Sequence, residues 1–134
     1  LAGITMNQNL PPKKLKVFLL EDDEVSQTVF KYLIEHSRDC CVVQAHTLKA
    51  AFSYLETRWD ILFVDLHLPD GETIPLIEQY HQKHPDVPII VITAYITNGA
   101  EIFAAGAREI LIKPISSSMF NKMFELYIDG REKR

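Results

Sequence analysis

Carboxylates, a hydroxyl and an ammonium recur in this chain at one kind of position, directly after a run of β-prone apolar residues. Glu21-Asp22-Asp23-Glu24 follows Val17-Phe18-Leu19-Leu20, and Asp65 ends Ile61-Leu62-Phe63-Val64. Thr93 follows Ile89-Ile90-Val91-Ile92, and Lys113 follows Ile110-Leu111-Ile112. If these runs are parallel neighbours, their carboxyl ends meet at one edge of a sheet, where open parallel sheets bind ligands. Carboxylates brought that close repel one another and hold their protons more tightly. A divalent cation relieves the repulsion, and Mg²⁺ favours such hard oxygen ligands while keeping several waters. With Lys113 as a second positive charge, the set suits phosphoryl transfer onto a carboxylate. Asp65, alone at its strand end, is the candidate nucleophile. Glu21 and Asp22 are the adjacent pair suited to the metal, and Thr93 has a hydroxyl to donate to a phosphoryl oxygen.

The elements that must position these groups alternate along the chain. Residues 1–14, ending in Pro11-Pro12-Lys13-Lys14, read as a lead-in. A strand over about 15–20 precedes a helix whose apolar stripe is Val25, Val29, Tyr32, Leu33 and His36. Cys41–Ala45 reads as a short second strand. Thr47 reads as the N-cap of a helix carrying Leu48, Ala51, Phe52 and Leu55. Ile61–Asp65 reads as the third strand, its unbroken apolar run predicting burial on both faces. Pro69-Asp70-Gly71 reads as a turn, and Pro75, tolerated only in a first turn, starts the next helix near Thr73, with Ile74, Ile77 and Tyr80 on one side. A fourth strand over 89–93, a short helix around 98–105 stopped by Gly106, and a fifth strand over 109–113 follow. Ser116 or Ser117 caps a last helix with Phe120, Met123, Phe124 and Tyr127 inward. Five βα units with short connections predict an α/β, flavodoxin-like (βα)5 doubly wound sandwich, with a five-stranded parallel sheet in the order 2-1-3-4-5. The organisation expected is a lead-in over 1–14, a domain over 15–129, and a polar tail or linker start over 130–134.

The bulk properties fit one soluble domain. The chain has 134 residues, 47% of them apolar and 24% charged, with a net charge of -4. That balance, without a basic run, argues against non-specific nucleic-acid binding. No apolar stretch is long enough for a membrane span, and the first residues lack the pattern of a signal peptide. Adjacent Cys40 and Cys41 give neither a disulfide framework nor a metal spacing, so a cytoplasmic setting is expected.

Leu19-Leu20-Glu21-Asp22-Asp23-Glu24, Val64-Asp65-Leu66-His67-Leu68-Pro69-Asp70-Gly71, Thr93-Ala94, Gly106-Ala107 and Lys113-Pro114 occur in this order. In this respect the chain resembles the receiver domains of two-component response regulators, over about residues 15 to 128. The resemblance implies that Asp65 is the phosphoacceptor, charged by a histidine kinase, a phosphotransfer protein or a small phosphodonor. It implies Mg²⁺ bound directly by Asp22, through water by Glu21, and by Asp65 and the backbone carbonyl of His67. Thr93 and Lys113 would contact the phosphoryl group, and the Lys113-Pro114 bond would be cis. Such a domain is not an enzyme acting on a separate substrate. It transfers phosphate onto, and loses it from, its own Asp65 and switches conformation to control an output domain or protein. Homodimerisation is a further possibility that the resemblance carries.

Several positions depart from the family pattern. Ile110 stands where an aromatic residue usually couples to the threonine, Thr73 stands where a glycine is usual, and the stretch from Thr93 to Gly106 is about two residues short. Arg108-Glu109 lacks the paired acids common in winged-helix transcription regulators. The catalytic core therefore matches better than the signalling surface. A pseudo-receiver, an interaction module that does not switch through phosphate, is the alternative that Ile110 favours. A phosphohydrolase of the haloacid-dehalogenase kind would need Asp-x-Asp after the first strand, which Asp22-Asp23-Glu24 does not supply. A flavin carrier would need a hydroxyl- and glycine-rich loop there, and Glu21–Glu24 would repel its phosphate. Among the other polar residues, Asp23 and Glu24 read as a solvated helix start. Asp70 reads as a turn former, and His36, His46, His81 and His84 as structural or exposed. His67 and Tyr95, each two residues beyond a site residue, are expected to shield a phosphoryl group on Asp65 from water.

Overall fold

The computed structural model describes residues 14–95 and 98–133. Five strands, β1 (Leu15–Leu20), β2 (Cys40–Ala45), β3 (Ile61–Asp65), β4 (Ile89–Thr93) and β5 (Glu109–Ile112), form one parallel sheet in the order β2-β1-β3-β4-β5. The helices between and after them are α1 (Glu24–Ser37), α2 (Leu48–Phe52), α3 (Ile74–Lys83), α4 (Gly99–Ala105) and α5 (Ser117–Phe124). This is the doubly wound, flavodoxin-like order expected from five βα units.

Alternation along the central strands builds two cores at once, because successive side chains leave a strand on opposite faces. Val17, Leu19, Ile61, Phe63, Ile90 and Ile92 pack with Phe30, Ile34, Phe120 and Phe124 of α1 and α5. Phe18, Leu20, Leu62, Val64, Ile89 and Val91 pack with residues of α2, α3 and α4, among them Leu48, Ile77, Tyr80 and Ile102. Phe120 meets Phe63 edge-on at 5.0 Å between ring centres, a favoured aromatic geometry.

The local signals act as chemistry requires. The Thr47 hydroxyl accepts the Ala50 amide at 3.1 Å and starts α2, and Pro75 lies in the first turn of α3. Ser116 caps α5, accepting the Met119 amide. Gly106, at φ 127°, ends α4. The Lys113-Pro114 peptide is cis.

Three expectations change. The stripe Val25, Val29 and Tyr32 faces out, at 72, 47 and 58% exposure, and the buried face of α1 is Gln27, Phe30 and Ile34. Burying Gln27 is tolerated because its side-chain amide donates to the carbonyls of Glu21 (2.7 Å) and Ala45 (2.9 Å), joining the ends of β1 and β2. The helix after Thr47 stops at Phe52, before Leu55, as the Ser53 hydroxyl bonds back to the Ala50 carbonyl and three-residue turns follow. Beyond α5 the backbone continues as a π-helical turn (Glu125–Asp129) and a 3₁₀ turn (Gly130–Lys133). Asp129, first of the polar terminal run, receives both guanidinium nitrogens of Arg38 at 2.6 Å. The expected lead-in lies, apart from Lys14, outside the described residues. Among the described residues no helix is long and apolar enough to cross a membrane.

Candidate functional site

Register brings the chemical groups together. Leu20 is level with Ala45 and Val64, Asp65 with Ile92, and Thr93 with Ile112. Glu21, just past β1, Asp65 and Thr93, the last residues of β3 and β4, and Lys113, just past β5, therefore emerge side by side at the carboxyl edge. Lys113 lies between two acids, its Nζ 2.6 Å from Glu21 Oε1 and 3.0 Å from Asp65 Oδ2. Glu21, Asp65 and Thr93 are buried, and Asp22 is exposed. One carboxylate oxygen from each of Glu21, Asp22 and Asp65 lies within 4.8 Å of the others. Three hard, anionic donors so spaced, one of them open to solvent, fit a hydrated divalent cation.

Asp65 is fixed from behind as well. The Thr73 hydroxyl donates to its backbone carbonyl at 2.5 Å, and the His67 amide reaches its carboxylate at 3.4 Å. Thr73 occupies the position where glycine is usual, and Gly71, at φ 145°, takes over the turn. Between Asp65 and Thr73 the loop folds into a two-residue antiparallel ladder, pairing His67 with Glu72 and Leu68 with Gly71. Asp70 does more than form a turn: its carboxylate accepts the amides of Leu48 (2.9 Å) and Lys49 (3.1 Å), anchoring the loop to the start of α2. Those amide bonds hold its carboxyl below the usual range. Asp23 likewise is the N-cap of α1, accepting the Ser26 amide at 2.8 Å. Thr93 directs its hydroxyl to the Tyr95 carbonyl at 2.9 Å. Tyr95 and His67 stack at 5.4 Å between ring centres.

Sequence reasoning assembled Glu21, Asp22, Asp65, Thr93, Lys113 and His67 at this edge, and the fold brings all six there. It missed the supporting contacts of Gln27, Thr73, Asp70 and Glu72. Only Thr73, as a departure from a usual glycine, carried any signal.

Burial pushes the Glu21 carboxyl up to about 7 from its ordinary 4.5, with the Asp65 charge adding and the bonds from Lys113 and the Asp23 amide opposing. Burial works against the Lys113 ammonium too, yet its bonds to Glu21 and Asp65 outweigh that and raise it. Because the folded Glu21 holds a proton that the unfolded chain has released, the metal-free fold loses stability as pH rises from 4.5 to about 7. A divalent cation held by these acids would compete with that proton, so affinity for Mg²⁺ would rise over the same window. Calorimetry in buffers of different ionisation enthalpy should register proton release on Mg²⁺ binding at about pH 6 and almost none at about pH 8.5. Glu21→Gln should abolish the release. Equal release at both pH values would mean that Glu21 is not the displaced acid.

An open, largely apolar hollow borders the site, lined by Val25, Val29 and Phe30 of α1 and by Lys113, Pro114 and Ile115. The outward stripe of α1 thus adjoins the lysine that holds Asp65.

Comparison with known proteins gives the same picture. Residues 17–125 match the response regulator receiver domain. The chain is 25% identical over 126 residues to the transcriptional regulatory protein CitT of Halalkalibacterium halodurans, covering 90% of this chain and 55% of that protein. It is 32% identical over 116 residues to the transcriptional regulatory protein YdfI of Bacillus subtilis, covering 81% and 53%. The chain therefore spans about half the length of these two curated relatives. Its fold is similar to a CheY-like receiver domain protein from Methanospirillum hungatei, with a TM-score of 0.83, 23% identity, and coverage of 90% of this chain and 98% of that one. It is also similar to the receiver domain of a sensor histidine kinase from Pseudomonas aeruginosa, whose structure has a magnesium ion in the active-site cleft. There the TM-score is 0.76, the identity 22%, and the coverage 87% and 99%.

Proposed function

Because this chain belongs to the response regulator receiver domain family, we propose that it takes a phosphoryl group on Asp65, with Mg²⁺, and switches conformation to control an output. The observation that carries the reading is the shared ammonium. Lys113 binds both Asp65 and Glu21, so the candidate nucleophile lies against an ammonium, beside a second acid and a third metal donor.

In the proposed reaction an oxygen of Asp65 forms a bond to phosphorus as the bond to the donor breaks, a phosphorus–nitrogen bond when the donor is phosphohistidine. The imidazole leaves and takes a proton. The Lys113 ammonium, already against Asp65, neutralises charge on a phosphoryl oxygen, and the Thr93 hydroxyl donates to another. Glu21, Asp22, Asp65 and the His67 carbonyl would hold Mg²⁺, whose contribution is to stabilise the charge on the phosphoryl oxygens. Hydrolysis of the resulting acyl phosphate resets the domain.

A histidine kinase or phosphotransfer protein is the proposed donor, in the cytoplasm. Its phosphohistidine must reach Asp65 past the rim, and the apolar stripe of α1 with Pro114 and Ile115 gives the donor's surface something to bury there. Output domain, output protein and homodimer contacts belong to surfaces beyond the site. The pseudo-receiver reading has one observation in its favour, Ile110 in place of an aromatic residue.

Incubation with acetyl phosphate and Mg²⁺ should add one phosphoryl group by intact mass, and borohydride reduction should place it on the Asp65 peptide. No addition, from either acetyl phosphate or phosphohistidine donors, would leave the pseudo-receiver.

A further inference from the structure

The loop after β3 and the loop after β4 are joined over the site by one stacked pair, and that pair is held by a residue with no part in the chemistry described so far. His67 stacks on Tyr95 with an interplanar angle of 26°. Its Nδ1 lies 3.0 Å from Glu72 Oε2, its partner across the two-residue ladder. The ladder cannot drift: Asp70 ties it to α2, and Thr73 ties its far end to the Asp65 carbonyl. Glu72 therefore presents the imidazole from a fixed platform.

On the other side of the stack, the backbone of Tyr95 does something specific. Its carbonyl accepts the hydroxyl of buried Thr93. A hydroxyl has one proton to donate. While Thr93 donates to Tyr95, that proton is unavailable to a phosphoryl group on Asp65. Anything that steadies Tyr95 steadies the resting position of Thr93.

The stack also contains its own weakness. His67 Nε2 is screened from solvent and has no hydrogen-bond partner among the described residues. With Nδ1 engaged by Glu72, a buried ring nitrogen without such a partner opposes the closed arrangement. A ring stack and an exposed side-chain bond, opposed by that buried nitrogen, make a weak clasp that one substitution can open.

We propose that Glu72 is a positioning residue: through His67 and Tyr95 it latches Thr93 in the resting arrangement and so sets how readily Asp65 is phosphorylated. This rests on the reading of Asp65 as phosphoacceptor. The latch supplies a coupling between the acceptor loop and the β4–α4 loop that Ile110, without a ring, does not supply.

The test compares the parent with Glu72→Ala, Glu72→Gln, Tyr95→Ala and the double variant Glu72→Ala/Tyr95→Ala. One measurement is loading by acetyl phosphate and Mg²⁺. The other is backbone amide shifts at Thr93–Tyr95 in the unphosphorylated protein. Glu72→Ala and Tyr95→Ala should each load about fivefold faster, and the double variant no faster than either, because both remove one latch. Glu72→Gln keeps an acceptor for Nδ1–H and should behave like the parent. Glu72→Ala should move the Thr93 amide shift without phosphate. Parent and Glu72→Ala loading within about twofold with superimposable shifts, or multiplicative effects in the double variant, would overturn the proposal. If no variant loads, the acceptor reading has failed, and the amide shifts still decide the latch.

Discussion

Asp65→Asn protein should acquire no phosphoryl group from acetyl phosphate and Mg²⁺ under conditions that load the parent to completion, a loss of at least ~100-fold. The amide of asparagine lacks the anionic oxygen that would attack phosphorus. The substitution is otherwise mild. The side-chain shape is kept, and Thr73 bonds the backbone carbonyl of residue 65 rather than its side chain. Lys113 still pairs with Glu21. Loss of the charge at residue 65 removes one contribution that raises Glu21, so its carboxyl should ionise more easily in the variant. Two other acids are near enough to compete. Glu21 is fully buried and engaged with Lys113, whereas Asp22 is exposed. Loading at the parent rate, with label on the Asp22 peptide, would move the acceptor to the end of β1. Intact mass and peptide mapping separate these outcomes.

The largest loss of stability is expected from Gly106→Ala. Gly106 has φ 127°, where a Cβ is strained, and a Cβ there would lie 2.4 Å from His81 Cγ and 2.7 Å from His81 Cβ. The obstruction is the root of the side chain on α3, so it cannot swing aside. Positive φ costs about 1–2 kcal/mol for a residue with a Cβ, and overpacking typically adds about 1–3 kcal/mol. A total near ~3 kcal/mol corresponds to a fall in Tm of roughly 10 °C for a domain of this size. Gly106→Asn should recover little, because asparagine tolerates the backbone better but meets the same ring. Thermal and urea unfolding measure both variants. A change under about 1 kcal/mol in Gly106→Ala would mean that α3 and α4 can separate at small cost.

What could be read from residues alone was whatever periodicity and run length encode. Unbroken apolar runs at 61–64 and 89–92, too short for helices, read as strands covered on both faces, with a polar residue closing each run at the same edge. That logic assembles Glu21, Asp65, Thr93 and Lys113 from the residues alone. It failed on α1, where Val25, Val29 and Tyr32 have the spacing of a buried stripe. Phe30 and Ile34 also share a face, and Gln27 could join them only because two strand-end carbonyls were waiting for its amide. No local pattern reports such partners. The same holds for Asp70, Glu72 and Thr73, whose roles are bonds to residues on other loops. The early end of α2 was illegible for a related reason: one serine hydroxyl diverted a backbone carbonyl.

The two layers of helices are not equally stiff. On one side, α1 runs for 14 residues, is capped by Asp23, and is clasped at its far end where Arg38 grips Asp129. On the other, α4 has seven residues, of which Ile102 and Ala105 are buried. So short a helix has little cohesion of its own. The sheet is thus a plate with a braced face and a compliant one, and the acid cluster sits at its rim between them. Under the proposed phosphorylation, a change of charge at Asp65 would meet resistance on the α1 side and yield on the α4 side, so displacement would be directed before any partner is present. Direction of movement would in this sense be a property of uneven bracing, set by where the clasps are.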